Sequence, residues 1–225
     1  MPFPQLAWLT QVLSALADFL NRGGPAMWAI FGLSVVTLAI VFWKLWHFAR
    51  LGAWARFPHR PLRHWVEADP QRAVGTLTKR RCIRTDIARW AMVHSLDPAL
   101  EPASAREETL REAKAALAEA GRGLRALELI GTVAPLLGLF GTVLGMIAAF
   151  QALQEAGSRA DPSALAGGIW EALLTTAAGM GVAMPAVAAL TWFESVTDRL
   201  RLDLEAIATQ VHTRAPRSGL QVAAQ

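Results

Sequence analysis

Three long stretches without a charged side chain constrain this 225-residue chain more than any other feature. They cover residues 23–43, 129–150 and 172–193. As helices they would be about 31 to 33 Å long, at about 1.5 Å per residue. A transmembrane helix needs about 20 consecutive apolar residues to cross a hydrocarbon core about 30 Å thick. The sequence therefore predicts an all-α membrane protein with three transmembrane helices.

The third helix is expected to begin before its uncharged run. Asp161 and Pro162 are typical of a helix N-cap and a first helical residue. Glu171 would then lie inside the helix, near its beginning. Residues 1–22 are expected to form an amphipathic helix, which lies either on the outer face of the membrane that the chain spans or against the chain's own spans. The rest of the expected layout is a first span (23–43), a helical insert (44–128), a second span (129–150), a connection that includes the start of the third helix (151–168), a third span (169–193) and a tail (194–225).

The distribution of Lys and Arg predicts the orientation. The insert holds 16 of these residues and the tail holds 4, whereas the segment before residue 23 and the connection at 151–168 hold one each. Cytoplasmic loops carry an excess of Lys and Arg. We therefore expect the N-terminus outside the membrane, the insert and the tail in the cytoplasm, and the helices of the second and third spans extended into the cytoplasm.

Composition argues against several classes of function. A single cysteine, Cys82, and the absence of Cys/His clusters predict no structural metal site. The sequence contains no P-loop and no dinucleotide fingerprint, so no cofactor is expected. The excess positive charge lies beside the spans rather than in a compact basic domain, which argues against a nucleic-acid partner. An intramembrane enzyme would need a second catalytic group within the spans, and the spans contain no ionisable residue other than Glu171.

A seam of apolar and small residues begins before the second span and continues through it. Ser104 and Glu107 have capping-box spacing, which predicts a helix start. Leu and Ala suit helix packing in water, and Gly and Ala suit close backbone approach in lipid. The pattern predicts one helix of roughly forty residues that uses the seam for self-association. The seam consists of Leu110, Ala113, Leu117, Ala120, Leu124, Leu127, Gly131, Ala134, Gly138, Gly141 and Gly145.

Four polar residues in the second and third spans form a candidate proton pathway. Glu171 is the only ionisable residue within the three spans, and a charged side chain at mid-membrane costs about 2.5 to 3.5 kcal/mol. Antiparallel helices would bring Thr142 and Thr176 to similar depths, and Thr175 lies one turn after Glu171. The alternatives are a glutamate that reaches the headgroup region and threonines that bond to their own helix.

Two prolines lie within the predicted spans. Pro135 and Pro185 cannot donate a helical hydrogen bond, so the carbonyls of Gly131 and Gly181 lose their usual partners. We expect bends or hydrated carbonyls at these points.

Two stretches in the last two spans resemble a known family. APLLGLFGTVLGMIAAF at 134–150 and GGIWEALLTTAAGMGVAMPAV at 167–187 together resemble the paired motifs of the ExbB/TolQ/MotA proton-channel family, and ExbB and TolQ most closely. By motif position, Thr142 and Thr176 match the family's pore-facing threonines, and Glu171 matches its third-span glutamate. Trp170 replaces a small residue of the family pattern, and Leu190-Thr191 replaces Tyr-Asn.

The resemblance implies a bacterial inner-membrane motor subunit. Such a subunit would form a homopentamer around two copies of a single-span partner similar to ExbD or TolR. The partner's membrane aspartate would carry the proton, and the motion would energise an outer-membrane process through a TonB- or TolA-like protein. An ExbB role, a TolQ role in the Tol-Pal system and a passive oligomeric membrane scaffold remain open from the sequence.

Overall fold

A computed structural model describes residues 4–54, 60–66, 69–77, 82–157 and 162–214. These residues form helices and turns without a strand, so the all-α prediction is confirmed. Asp161, the predicted N-cap, lies outside the described residues. The helices are α1 (Pro4–Arg22), α2 (Gly24–Leu51), α3 (Arg60–Val66), α4 (Pro70–Leu77), α5 (Ile83–Leu96), α6 (Pro102–Gly121), α7 (Leu124–Ala156) and α8 (Pro162–Thr213).

Helices α2, α7 and α8 contain segments that are long and apolar enough to cross a membrane. Only 17–22% of the residues in their most apolar windows are buried inside the chain. Apolar helices with so little internal burial need an apolar environment such as lipid or partner helices. The prediction of three membrane helices is confirmed.

The membrane helices extend beyond the uncharged runs. Helix α2 continues to Leu51, and α8 continues without interruption for 52 residues to Thr213. Pro135 and Pro185 lie inside α7 and α8, which continue past both prolines. The predicted bends at these prolines, and the compartment that each helix end occupies, stay predictions.

The prediction of one uninterrupted helix along the seam is wrong. Helix α6 ends at Gly121, and α7 begins only after Gly123, whose φ of +86° lies in the left-handed region. Glycine adopts this conformation without the steric cost of a side chain. The 3-4 spacing of apolar residues shows which side of a helix they share, but it does not reveal a single residue with left-handed backbone angles. The apolar pattern therefore continues along the sequence although the helix is interrupted at Gly123.

The predicted capping box at Ser104 and Glu107 is also wrong. Helix α6 begins two residues earlier, at Pro102, with Glu101 as its N-cap and no side-chain cap bond. Proline at the first helical position lacks only a donor that would be unpaired there anyway. The proline therefore defines the helix start, and Ser104 lies within the helix.

Backbone contacts divide the chain into two compact units. The membrane unit comprises Met1–Phe42 and Gly123–Thr191, and the insert unit comprises Trp43–Arg122 and Trp192–Gln225. Within the membrane unit, a core of small and branched side chains joins α7 and α8. Its buried members are Ile130, Ala134, Ala183 and Ala186.

The N-terminal helix α1 belongs to the membrane unit. Leu20 on this helix is 4% exposed and Leu13 is 62% exposed. Some of the predicted apolar face is therefore covered by the chain itself. A position of α1 on the outer membrane surface stays a prediction.

The insert unit has a core of its own, built by short helices and the end of α8. Trp65 is buried, and its indole N–H donates a hydrogen bond to the carbonyl of Val211 at 3.0 Å. Arg84 donates to a carboxylate oxygen of Asp203 at 2.7 Å and to the carbonyl of Ala53 at 2.8 Å. The main cluster contains Trp65, Ala73, Leu77, Ala88, Ala91, Met92, Ile207 and Val211.

Candidate functional site

The small residues of α7 face α8 within the same chain. A methyl group on Gly138 would lie 2.9 Å from the carbonyl oxygen of Thr175, and one on Gly141 would lie 2.6 Å from the Thr175 hydroxyl oxygen. A methyl group on Gly145 would lie 3.0 Å from the Cβ of Ala172. These distances leave no room for a side chain. The helices meet through backbone atoms at Gly138, and Gly141 and Gly145 accommodate the side chains of Thr175 and Ala172.

The same packing continues in both directions along the interface. A methyl group on Gly131 would lie 2.7 Å from a methyl of Val187, and one on Gly179 of α8 would lie 2.5 Å from the carbonyl oxygen of Ala134. The part of the seam that lies in the membrane unit therefore has a partner inside the chain. Its predicted role in an oligomer interface stays a prediction.

Thr175 lies in the centre of this interface. Thr175 is buried, with 2% of its surface exposed. The hydroxyl is 3.1 Å from the carbonyl oxygen of Gly138 on α7 and 2.7 Å from that of Ala172 on its own helix. The hydroxyl of Thr176 is 3.2 Å from the same Gly138 carbonyl. Two adjacent threonines therefore direct their hydroxyls to one backbone acceptor, and Thr175 contributes to helix packing.

Thr142 lies on a different surface of α7. Its hydroxyl donates to the carbonyl of Leu139 at 2.6 Å, a bond within its own helix. This is the kind of local bond that the sequence left as an alternative. Thr142 lines a shallow groove of about 450 Å³ together with Val143, Met146, Ile147, Phe150, Gln151 and Gln154.

Glu171 is exposed and lines a cavity of about 190 Å³ in the membrane unit. The start of α2, the second half of α7 and the start of α8 line this cavity. It has room for several water molecules, each of which takes about 30 Å³ in the liquid. The lining residues are Gly23, Gly24, Pro25, Ala26, Gly141, Leu144, Gly145, Ala148, Glu171, Ala172 and Thr175.

The four predicted pathway residues divide between two sides of the α7–α8 interface. Glu171 and Thr175 line the cavity beside α2, whereas Thr142 and Thr176 do not. Five residues separate Glu171 from Thr176, which corresponds to about 140° around a helix of 3.6 residues per turn. The buried face of α8, at Ala172, Thr175 and Gly179, lies between them. A pathway that joins all four residues stays a prediction.

The contribution of the first span to this cavity was not predicted from the sequence. Met27 is 2% exposed, and a methyl group on Gly141 would lie 3.0 Å from the Cβ of Ala26. Gly24, the first residue of α2, has a φ of +62°. The small residues GGPA at the start of the first uncharged run were the available signal, because they permit close approach of a neighbouring helix.

Lys44, in the insert unit, has a structural role that was not predicted from the sequence. It is fully buried, and its ammonium group donates hydrogen bonds to the carbonyls of Ala120 and Arg122, the latter at 2.6 Å. The ammonium also lies 4.8 Å from the ring centre of Phe48. Lys44 therefore satisfies carbonyls at the end of α6 that have no further helical turn to bond to. The sequence showed it only as the charge that ends the first uncharged run.

Comparison with known proteins identifies the family. The profile of the MotA/TolQ/ExbB proton channel family matches residues 79–206, which is more than half of the chain. The chain belongs to this family. The matched range contains all of α7, most of α8 and every predicted site residue. The resemblance that the two sequence motifs indicated is therefore confirmed.

Several similar proteins carry the ExbB name. A putative biopolymer transport protein ExbB-like 1 from Synechocystis sp. is 37% identical over 188 residues, which cover 80% of this chain and 71% of that protein. Biopolymer transport protein exbB1 of Vibrio cholerae is 46% identical over 83 residues, or 37% of this chain and 36% of that protein. ExbB of Neisseria gonorrhoeae is 45% identical over 92 residues, or 41% of each chain.

Proposed function

We propose that the chain is an ExbB-like subunit of an inner-membrane, proton-driven motor. It would couple the proton motive force, through an ExbD-like single-span partner, to a TonB-like protein and so to TonB-dependent outer-membrane transport. Support comes from the family, from the ExbB names of the relatives and from three apolar helices. The N-terminus would be periplasmic, and the insert and C-terminus cytoplasmic.

The division of polar groups across the α7–α8 interface is the observation that carries this proposal. Glu171 lines the cavity beside α2, whereas Thr142 lines a separate groove and Thr176 lies about 140° around α8 from Glu171. In a ring, one side of each helix pair faces the central axis and the other faces a neighbouring subunit. Thr142 and Thr176 would line the lumen beside the partner helices. Glu171 would set the electrostatic potential and water content of the cavity beside α2.

The partner would supply the group that carries the proton. Glu171 is the only ionisable residue in the three spans, and hydroxyl groups can position water without taking up a proton at ordinary pH. The gradient provides about 2.3 kcal/mol for each elementary charge per 100 mV. We propose a homopentamer with two copies of the partner, in which proton passage past the threonines moves the ring relative to the partner.

Affinity purification in detergent followed by native mass spectrometry tests this assembly. We expect five copies of this chain and two copies of a small single-span protein. Proton uptake into liposomes that contain the purified complex, followed with an enclosed pH-sensitive dye, tests conduction. A monomer as the working form, or a complex that passes no protons under an imposed gradient, would refute the motor proposal.

The two alternatives make different predictions. A TolQ-like subunit would co-purify with a TolR-like partner, although the ExbB names of the relatives favour the first assignment. A passive scaffold would need the small residues of α7 but not the polar groups. In that case Thr142, Thr176 and Glu171 could all be replaced without effect, while Gly138→Leu or Gly141→Leu would disrupt the assembly.

A further inference from the structure

His212 lies near the end of α8, in the insert unit, between α5 and α6. Its Nδ1 is 3.1 Å from the hydroxyl of Ser95 on α5, and its Nε2 is 3.1 Å from the hydroxyl of Thr109 on α6. The ring is half-buried, and Thr109 is fully buried. A single side chain therefore connects the end of α8 to two other helices.

The backbone beside this ring belongs to the core of the insert unit. Val211 is fully buried and accepts the hydrogen bond from Trp65 described above. Met92, one turn before Ser95, belongs to the same core. A change at His212 therefore acts on a packed junction between α5, α6 and α8.

The hydroxyl groups can bond to the ring in either of its protonation states. Ser95 Oγ is 2.7 Å from the carbonyl oxygen of Ala91, and Thr109 Oγ1 is 2.9 Å from that of Ala105. A neutral imidazole donates through one nitrogen and accepts through the other, so one hydroxyl turns its proton toward the ring. An imidazolium donates through both nitrogens, and both hydroxyls can then donate to the carbonyls. Hydrogen bonding therefore tolerates both states.

Charge and burial distinguish the two states. Burial is the largest influence and disfavours the charged ring, followed by Arg106 on α6 and His94 on α5, which both repel a cation. Together they lower the pKa of His212 below its ordinary value of 6.5. His94 Nδ1 is itself buried and has no hydrogen-bond partner among the described residues. Protonation of His212 thus places a cation in a half-buried site close to Arg106.

We propose that His212 is a proton-binding latch of the insert unit: the neutral ring holds the end of α8 to α5 and α6, and protonation loosens that junction. This inference goes beyond the proposed transport function, because it gives the insert unit a response to acid that requires neither a partner nor a gradient. The inference depends on the proposed orientation in one respect: if the insert unit is cytoplasmic, His212 responds to the pH of the cytoplasm.

The sign of the pH dependence follows from the lowered pKa. The unfolded or opened chain has an ordinary histidine and binds more protons than the closed junction. The junction therefore keeps its full stability above about pH 6.5 and loses it progressively as the pH falls through the lowered pKa.

Hydrogen–deuterium exchange on the full-length chain in lipid nanodiscs tests the latch. Exchange rates are corrected for the intrinsic effect of pH and compared between about pH 7.5 and about pH 5.5, the range in which histidine titrates. We expect amides at the end of α8 to open severalfold more often at the lower pH. His212→Gln keeps a donor and an acceptor but cannot become charged, so its exchange should not change with pH.

His47→Gln is the matched control, because His47 lies in the same unit but does not contact Ser95 or Thr109. It should keep the wild-type pH response. A wild-type junction that is insensitive to pH, or a His212→Gln chain that responds like the wild type, would overturn the latch. If His212→Gln does not fold, NMR titration of carbon-labelled histidine in the wild-type chain decides: half-protonation below pH 6.5 supports the latch, and half-protonation at or above it contradicts the latch.

Discussion

The hydroxyl of Thr175 reaches across the interface of two membrane helices to the backbone carbonyl of Gly138, 3.1 Å away. Gly138 is buried against Thr175 and Thr176, so the absence of a side chain is what allows this contact. The contact fixes the register of α7 against α8. It therefore also fixes the positions of the polar residues on either side of the interface.

A methyl group on Gly138 should destabilise the membrane unit. Gly138→Ala would place a carbon 2.9 Å from the Thr175 carbonyl oxygen, which is a backbone atom with little freedom to move. Overpacking of this kind costs about 1 to 3 kcal/mol. Thermal unfolding in detergent measures the loss. Gly181→Ala is the matched control, since no atom lies within 4 Å of the added carbon; equal stability loss in both variants would contradict the packing role.

Removal of the Thr175 hydroxyl should have a smaller effect. Thr175→Val keeps the shape of the side chain but loses the hydroxyl's bonds to Gly138 on α7 and to Ala172 on its own helix. Hydrogen bonds between membrane helices contribute about 0.6 kcal/mol on average and up to about 1.7 kcal/mol. The same unfolding measurement should show a loss in this range. Thr191→Val, whose hydroxyl bonds only to Val187 on its own helix, should show less.

Thr142→Val, Thr176→Val and Glu171→Ala should leave assembly largely intact and reduce proton-driven transduction. The Thr142 hydroxyl bonds only to its own helix and Glu171 is exposed. Removing either polar group therefore leaves no buried hydrogen-bond partner on another helix unsatisfied. We expect a reduction of about tenfold in proton flux, which corresponds to about 1.4 kcal/mol on the barrier.

Liposome flux and native mass spectrometry, performed on the same preparations, separate conduction from assembly. Glu155→Ala provides the control, because Glu155 is exposed at the end of α7 and does not line the cavity. Normal flux in all three pathway variants would show that these positions do not line the proton path.

Loss of the Lys44 ammonium should destabilise the insert unit. Lys44→Met keeps much of the aliphatic side chain but leaves the carbonyls of Ala120 and Arg122 without their buried donor. An unsatisfied buried polar group costs about 1 to 3 kcal/mol. Urea unfolding of the full chain in detergent gives the change in free energy. Lys114→Met, on the exposed side of α6, should have little effect; similar losses in both variants would contradict a capping role for Lys44.

The sequence predicted those features that depend on composition over a long window. Charge-free runs of about 20 residues specify membrane helices because the thickness of the bilayer sets their length. The start of α8 at Pro162 was predictable for a local reason, since proline fits the first turn of a helix and disrupts its interior. Two motifs, one containing Thr142 and the other containing Glu171 and Thr176, identified the family.

Features that depend on one backbone angle or on three-dimensional proximity were not predictable. The left-handed φ of Gly123 interrupts the seam, but apolar spacing on either side carries no information about it. Thr175 and Thr176 are identical neighbours in sequence, and only the packed structure shows that Thr175 is buried while Thr176 is half-buried. The cavity beside Glu171 is lined in part by the first span, which is distant along the chain, so the sequence did not reveal it.

Peptide groups set the distance between α7 and α8 at Gly138 and Gly179, because both glycines meet backbone atoms of the opposite helix. Such a spacing cannot be tuned by exchanging one residue for another of similar size. The outward surfaces of both helices carry no such restriction. Related subunits could therefore diverge in the proteins that they engage while they retain an unchanged central pair of helices.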